Sequence, residues 1–173
     1  MPNKFEEAIS KGAGKVGALA AEMKGLRGVF STLAEEHKEV SALLKRAVSA
    51  KDPAKKEDLW RKIRLELLSH ERAERQEVYP HLANGGALQG VVQEHRVEAE
   101  QLEAIIAELD ALDPRSDAWD TSLRKLESVV KQHVDQEENE YFPQAQDAIG
   151  KDGAARLDPA FRAAKQSFMA RLS

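Results

Sequence analysis

Cysteine is absent from the 173-residue chain. That absence excludes disulfides, thiol nucleophiles, iron–sulfur clusters and thiolate zinc sites. Any metal has to be held by imidazole and carboxylate. Aromatic residues make up only 5% of the chain and strand-like alternation is lacking, which argues against a sheet core. No stretch approaches the roughly 18 apolar residues of a membrane span, so no membrane association is expected. Charge of one sign is not in excess either, since 26 basic residues stand against 30 acidic ones with the signs interspersed, for a net charge of -4. A nucleic-acid partner is therefore not expected. The N-terminal stretch has acidic residues early and no apolar run, so it does not read as a signal peptide, and a cytoplasmic location is expected.

What is present is helical in character. Ala, Leu, Glu, Lys, Arg and Gln dominate, and 42% of residues are hydrophobic, enough for one domain with a core. Breakers at Pro53, at 83–86, at Pro114 and at 149–153 leave long segments over 26–49, 54–82, 87–112 and 115–149. Short connections between long helices favour antiparallel neighbours, so the expected fold is all-α, an up-down-up-down four-helix bundle over 26–149. An N-terminal helical extension (1–25) and a C-terminal helical segment (150–173) flank it. Asp52–Pro53 and Asp113–Pro114 read as helix starts, while Pro80 and Pro143 should end or bend their helices. The ends carry apolar stripes, Phe5, Ile9, Val16, Leu19 and Met23 at one and Leu157, Phe161, Ala164, Phe168 and Leu172 at the other. They are expected to cover each other or to join two copies as a homodimer.

Two stretches repeat. HERAERQEVYP begins at His70 and HVDQEENEYFP at His133, sharing His, Glu, Glu and Pro at the same places. Of five histidines, four fall one per long segment. His37 continues the line of Phe30, Leu33, Leu44 and Val48, and His95 that of Leu88, Val91, Leu102 and Ile106. On the second segment Leu59, Ile63, Leu67, His70, Glu74 and Val78 share one face, and on the fourth Trp119, Leu126, Val130, His133, Glu137 and Tyr141 do. The chain is thus a weak duplication, a helix with one His followed by a helix with His-x3-Glu, written twice.

A single His-x3-Glu is usually an ordinary pair on a helix surface. Six inward groups together are different. Two buried carboxylates with no Lys or Arg on the inner lines would cost several kcal/mol each, against a total domain stability of about 5–15 kcal/mol. Bound cations remove that cost. Four imidazoles and two carboxylates exceed the needs of one tetrahedral ion but suit two ions, with Glu74 and Glu137 as bridges and open positions left over. Iron is preferred, with manganese and zinc as alternatives.

These residues resemble the hemerythrin-like, or HHE cation-binding, proteins. The resemblance covers roughly 33–146 and rests on the ordered set of His, His-x3-Glu, His, His-x3-Glu, followed by VYP and YFP. It implies a four-helix bundle around a non-haem di-iron centre with ligands His37, His70, Glu74, His95, His133 and Glu137, two irons carrying an oxo or hydroxo bridge, and a small diatomic molecule or peroxide as ligand. Two positions depart from the oxygen carriers. Ala99 stands where they have a further His, and the last acidic ligand is Glu137, four residues after His133, instead of an Asp five after it. The chain is in this respect more similar to bacterial relatives linked to peroxide breakdown, nitric oxide response or repair of iron centres.

Around this set, Glu71 is a candidate extra ligand, and Glu77, Glu140 and Tyr141 are candidates for a surrounding layer that holds imidazole N–H groups or a bound oxygen species. Tyr79 points away on an ideal helix, and His81 is expected at the surface. The expected function is reaction with peroxide, dioxygen or nitric oxide, as an enzyme if turnover occurs. The alternatives are a non-catalytic oxygen or iron sensor or store, and a metal-free interaction module. Ferritin-like chemistry is disfavoured because its Glu-x-x-His pairs are missing.

Overall fold

The computed structural model describes residues 25–83 and 86–173. The expected N-terminal extension, apart from Gly25, lies outside the described residues. The helices are α1 (Val29–Ser49), α2 (Pro53–Glu77), a short α3 (Tyr79–Ala83), α4 (Gln89–Ala111), α5 (Asp117–Gln136), a π-helical turn (Glu137–Tyr141) and α6 (Phe142–Leu172). No strand occurs among the described residues, and none of their helices is long and apolar enough to cross a membrane.

The starts and stops follow local chemistry. Asp52 accepts a hydrogen bond from the Ala54 N–H, and Pro53 opens α2 with its fixed φ, as the sequence indicates. The other expected start moves. Ser116, not Asp113, caps α5, accepting from the Trp119 N–H at 3.1 Å. Asp113 instead holds the preceding turn, its side chain accepting from the Arg115 N–H at 2.9 Å and its carbonyl from the Ser116 hydroxyl at 2.7 Å. Gly28 has φ 55° and ψ −132°, and a Cβ there would collide with the Ala154 backbone, so α1 begins one residue later against the C-terminal arm.

Antiparallel order is visible in the core. Two apolar clusters exist, one around Phe30, Leu33, Tyr79, Phe142 and Phe161, the other around Leu44, Leu59, Ile63, Leu102, Trp119 and Leu126. Along α1 and α4 the chain passes from the first cluster to the second; it passes back along α2, and through α5 with the π-helical turn that follows it. Each of these four helices carries its inward histidine between the two. A polar layer therefore crosses the bundle at mid-height, sealed by hydrocarbon above and below.

α6 breaks at Gly150, where φ is 71° and ψ 174°. Its second arm, 151–172, buries Leu157, Phe161 and Ala164 in the first cluster and rests Leu172 on the second. Thr32 donates to Asp158 at 2.5 Å and Arg162 donates to Thr32 at 2.8 Å, fixing this arm to α1. The C-terminal stripe thus packs within the chain as a fifth helix along the bundle.

Candidate metal centre

His37, His70, His95 and His133 are all buried and turn their Nε2 atoms toward the same buried glutamates. His37 Nε2 lies 3.2 Å from Glu137 Oε2, and His70 Nε2 lies 3.5 Å from Glu74 Oε2. His95 Nε2 is 3.3 Å from Glu137 Oε1 and 3.6 Å from Glu74 Oε2, while His133 Nε2 is 3.4 Å from Glu137 Oε2. The six groups expected from the repeat therefore meet. A seventh joins them: Glu71 is buried, with Oε1 3.1 Å from His133 Nε2 and Oε2 3.6 Å from His95 Nε2. The H-x3-E spacing does not announce Glu71, because an ideal helix turns it about 100° from His70; packing of α4 and α5 over that side of α2 encloses it.

The far nitrogens are held by a different set of carboxylates from those expected. His37 Nδ1 donates to Glu138 at 3.1 Å, His70 Nδ1 to Glu36 at 2.8 Å and His133 Nδ1 to Glu98 at 2.7 Å. Orienting bonds of this kind fix each imidazole with Nε2 facing inward. Glu77 and Glu140 do not take this part. Glu77 accepts from Gln76, and Glu140 is exposed. For Glu140 the reason is the π-helical turn, in which the Phe142 N–H reaches back five residues to Glu137 O. The wider turn lets the adjacent Glu137 and Glu138 both face inward, so the outer carboxylate comes one residue after the inner one.

The tyrosines also exchange parts. Tyr79 is buried, lies flat on the His95 ring and donates its hydroxyl hydrogen to Glu137 Oε1 at 2.8 Å. Pro80 has no N–H and clashes with the carbonyl of a continuing helix, so α2 ends at Glu77 and Val78 swings the next residue inward. Tyr141 is buried too, but its hydroxyl contacts Glu94 at 3.0 Å and Glu98 at 3.3 Å, outside the ring of Nε2 atoms. Phe142 stacks on His37 as Tyr79 does on His95, both at 14°. The usable signal was the aromatic directly before proline in both repeats. His81 is exposed, as expected.

With protons as the only cations, charge distributes unevenly. Burial opposes protonation of His37 and His95, but the nearby Glu137 carboxylate and their other carboxylate neighbours outweigh it and hold them up at about 9 and about 10. His133 is likewise held well above the usual imidazole range, the charges of Glu137 and Glu71 overcoming burial. Against burial, the same imidazoles hold Glu137 and Glu71 below the usual carboxylate range. Glu74 moves upward, through burial and then the charge of Glu137.

The donor set fits two cations better than it fits itself. His37 Nε2, His70 Nε2, both His95 nitrogens, both Glu74 oxygens, Glu71 Oε2 and Glu137 Oε2 are buried without a hydrogen-bond partner, and outside this layer only Trp119 Nε1 joins them among the described residues. Native interiors seldom leave such atoms unpaired. Two groups of three with no member in common, His37/His70/Glu137 and Glu71/His95/His133, each bring ligand atoms within 4.8 Å of one another. Glu74 forms similar groups with His70 and Glu71 on one side and with His95 and Glu137 on the other, which is the placement a bridging carboxylate requires.

A family model for the hemerythrin HHE cation binding domain matches residues 29–145. The chain is also 23% identical over 171 residues to a protein named DNA nickase from Nostoc sp., an alignment that covers 98% of this chain and 48% of that protein. The chain thus spans about half the length of that curated relative. No solved structure matches.

Proposed function

The chain belongs to the hemerythrin HHE cation-binding family, and from that premise we propose that it is a non-haem di-iron protein that binds and reacts with a small oxidant, peroxide, dioxygen or nitric oxide. His37 and His70 would hold one ion and His95 and His133 the other, with Glu74 and Glu137 available to both and Glu71 available beside His95 and His133. The observation that carries this reading is the set of buried imidazole and carboxylate atoms left without partners in a sealed layer.

Bound iron supplies Lewis acidity, vacant coordination positions and one-electron change. The protein's own residues do the rest. Glu36, Glu98 and Glu138 hold the His70, His133 and His37 imidazoles at fixed angles, and the Tyr79 ring lies flat on His95. Phe142, Phe161 and Tyr79 lie against His37, His70 and His95 and keep bulk water from the layer. Tyr79 holds a proton at its hydroxyl against Glu137, and burial with the nearby carboxylates pushes its own ionisation well above the usual phenol range. A partly enclosed cavity beside the layer is lined by Val40, Leu102 and Val130, by His37, His70 and His133, and by the charged Glu36, Glu66, Glu71 and Lys165, and it would admit only a small molecule.

The name of the Nostoc relative belongs to a protein about twice as long, and this chain carries 26 basic residues against 30 acidic ones, which does not favour DNA as its ligand. The test is metal analysis of protein made in iron-supplemented cells, followed by peroxide turnover and optical titration with dioxygen and nitric oxide. About two iron ions per chain with turnover supports the full reading. Iron with optical change and no turnover supports a sensor or store, and a stable metal-free bundle overturns the proposal.

A further inference from the structure

The two histidines of the repeat, His70 and His133, have unlike outer partners. His133 Nδ1 donates to Glu98 Oε2 at 2.7 Å, and the nearest other donor, the Tyr141 hydroxyl, is neutral and lies 3.3 Å from the opposite oxygen, Oε1. His70 Nδ1 donates to Glu36 Oε2 at 2.8 Å, and the same oxygen is 2.9 Å from the Lys165 ammonium. Lys165 is buried, comes from the C-terminal arm beyond the family segment, and is anchored by Glu66 Oε2 at 2.7 Å. A cation on an acceptor oxygen draws electron density from it, so it accepts less from a second donor.

Resting on the reading that His70 and His133 ligate metal, we propose that Lys165 is a positioning residue that weakens the His70–Glu36 hydrogen bond and makes His70 a poorer electron donor to its ion than His133 is. The cation also acts through space in the same direction. It disfavours added positive charge at the His37/His70 ion, and that ion is therefore the one reduced first. Glu71 already distinguishes the two sites within the duplicated helices; Lys165 from the fifth helix adds a second difference, on the His70 side.

Zinc-loaded full chain labelled with 15N-histidine tests this without reference to turnover. In the wild type the Nδ1–H proton of His133 resonates further downfield than that of His70. Lys165→Met moves the His70 proton downfield and leaves His133 in place, Lys165→Arg restores the original position, and Lys165→Met adds nothing in a Glu36→Gln background. In iron-loaded protein the same Lys165→Met change lowers the first reduction midpoint. Glu66→Gln, which leaves Lys165 to Glu36 alone, moves His70 the opposite way, and it serves if Lys165→Met does not fold. An unmoved His70 proton in both variants, or His70 and His133 moving together, overturns the proposal. Zinc absent from the wild type, with all Nε2 atoms unligated, overturns the underlying reading instead, and this proposal with it.

Discussion

The Tyr79 ring stacks on the His95 imidazole with centroids 3.6 Å apart, and its hydroxyl reaches past that ring to Glu137. Phe142, in the same place of the second repeat, stacks on His37 but has no hydroxyl, so Glu74 lacks the bond that Glu137 has. Tyr79→Phe keeps the stack and removes the bond, and is expected to cost roughly 1.5–3 kcal/mol, the range for a hydrogen bond to a charged group. Tyr79→Ala also empties a buried volume and is expected to cost about 3–5 kcal/mol. Urea unfolding of the two variants checks the order, and equal losses would assign the whole effect to the hydroxyl rather than to packing.

Metal content separates inner from outer carboxylates. Glu74→Gln and Glu137→Gln are each expected to lower content well below about two ions per chain, because each carboxylate is placed beside both histidine pairs. Glu71→Gln is expected to lose mainly the ion at His95 and His133. Glu77→Gln and Glu140→Gln, whose side chains lie outside the layer, should leave content unchanged. Elemental analysis of the five purified variants decides it, and wild-type content in Glu74→Gln and Glu137→Gln would remove the bridges.

Metal uptake is expected to release protons at neutral pH. His37, His95 and His133 hold protons there, and Glu74 is raised toward its neutral form, and all must lose them to become ligands. Affinity therefore rises with pH. Calorimetric titration in buffers of different ionisation enthalpy measures the release. Chelation reverses the stabilisation, about 2.7 kcal/mol when free metal is a hundredfold above its Kd.

Stability of the metal-free protein should fall on the alkaline side. His37 and His95 are raised from 6.5 to about 9 and about 10, so their stabilisation is complete below about 6.5 and is lost as pH climbs through 9 and 10. Glu36 is lowered from 4.5 to about 2 by His70 and Lys165 against burial, so its share is present above about 4.5 and lost toward 2. Denaturant midpoints from pH 6 to 10, with and without metal, test this. A flat metal-free profile over that range would contradict the imidazole–carboxylate pairing.

Gly28→Ala is expected to destabilise by about 1–3 kcal/mol, since φ 55° with ψ −132° is open in practice to glycine alone. The added methyl also meets the Ala154 backbone, so the C-terminal arm should loosen. Hydrogen exchange of 151–172 reads this directly, with faster exchange expected in the variant.

The inner ligand layer was legible because helix periodicity converts spacing into direction. His37, His70, Glu74, His95, His133 and Glu137 fall on apolar lines and meet as that rule requires. The outer layer was not. Glu36, Glu98 and Glu138 touch histidines of other helices, and no spacing within one helix encodes a contact across a bundle. Glu77, Glu140 and Tyr141 follow from an unbroken α-helix; the π-helical turn puts Glu138 in the place expected of Glu140, and the break at Val78 brings Tyr79 inward.

Sequence by itself therefore determined the all-helical class, the duplicated hairpin and the six inward groups, because burial of an apolar stripe fixes which way each helix faces. Tertiary structure alone decided that Glu71 is enclosed, that Tyr79 rather than Tyr141 reaches the centre, and that Lys165 shares an oxygen with His70. Those outcomes depend on how five helices pack and where two of them depart from ideal geometry, quantities that only the assembled core sets.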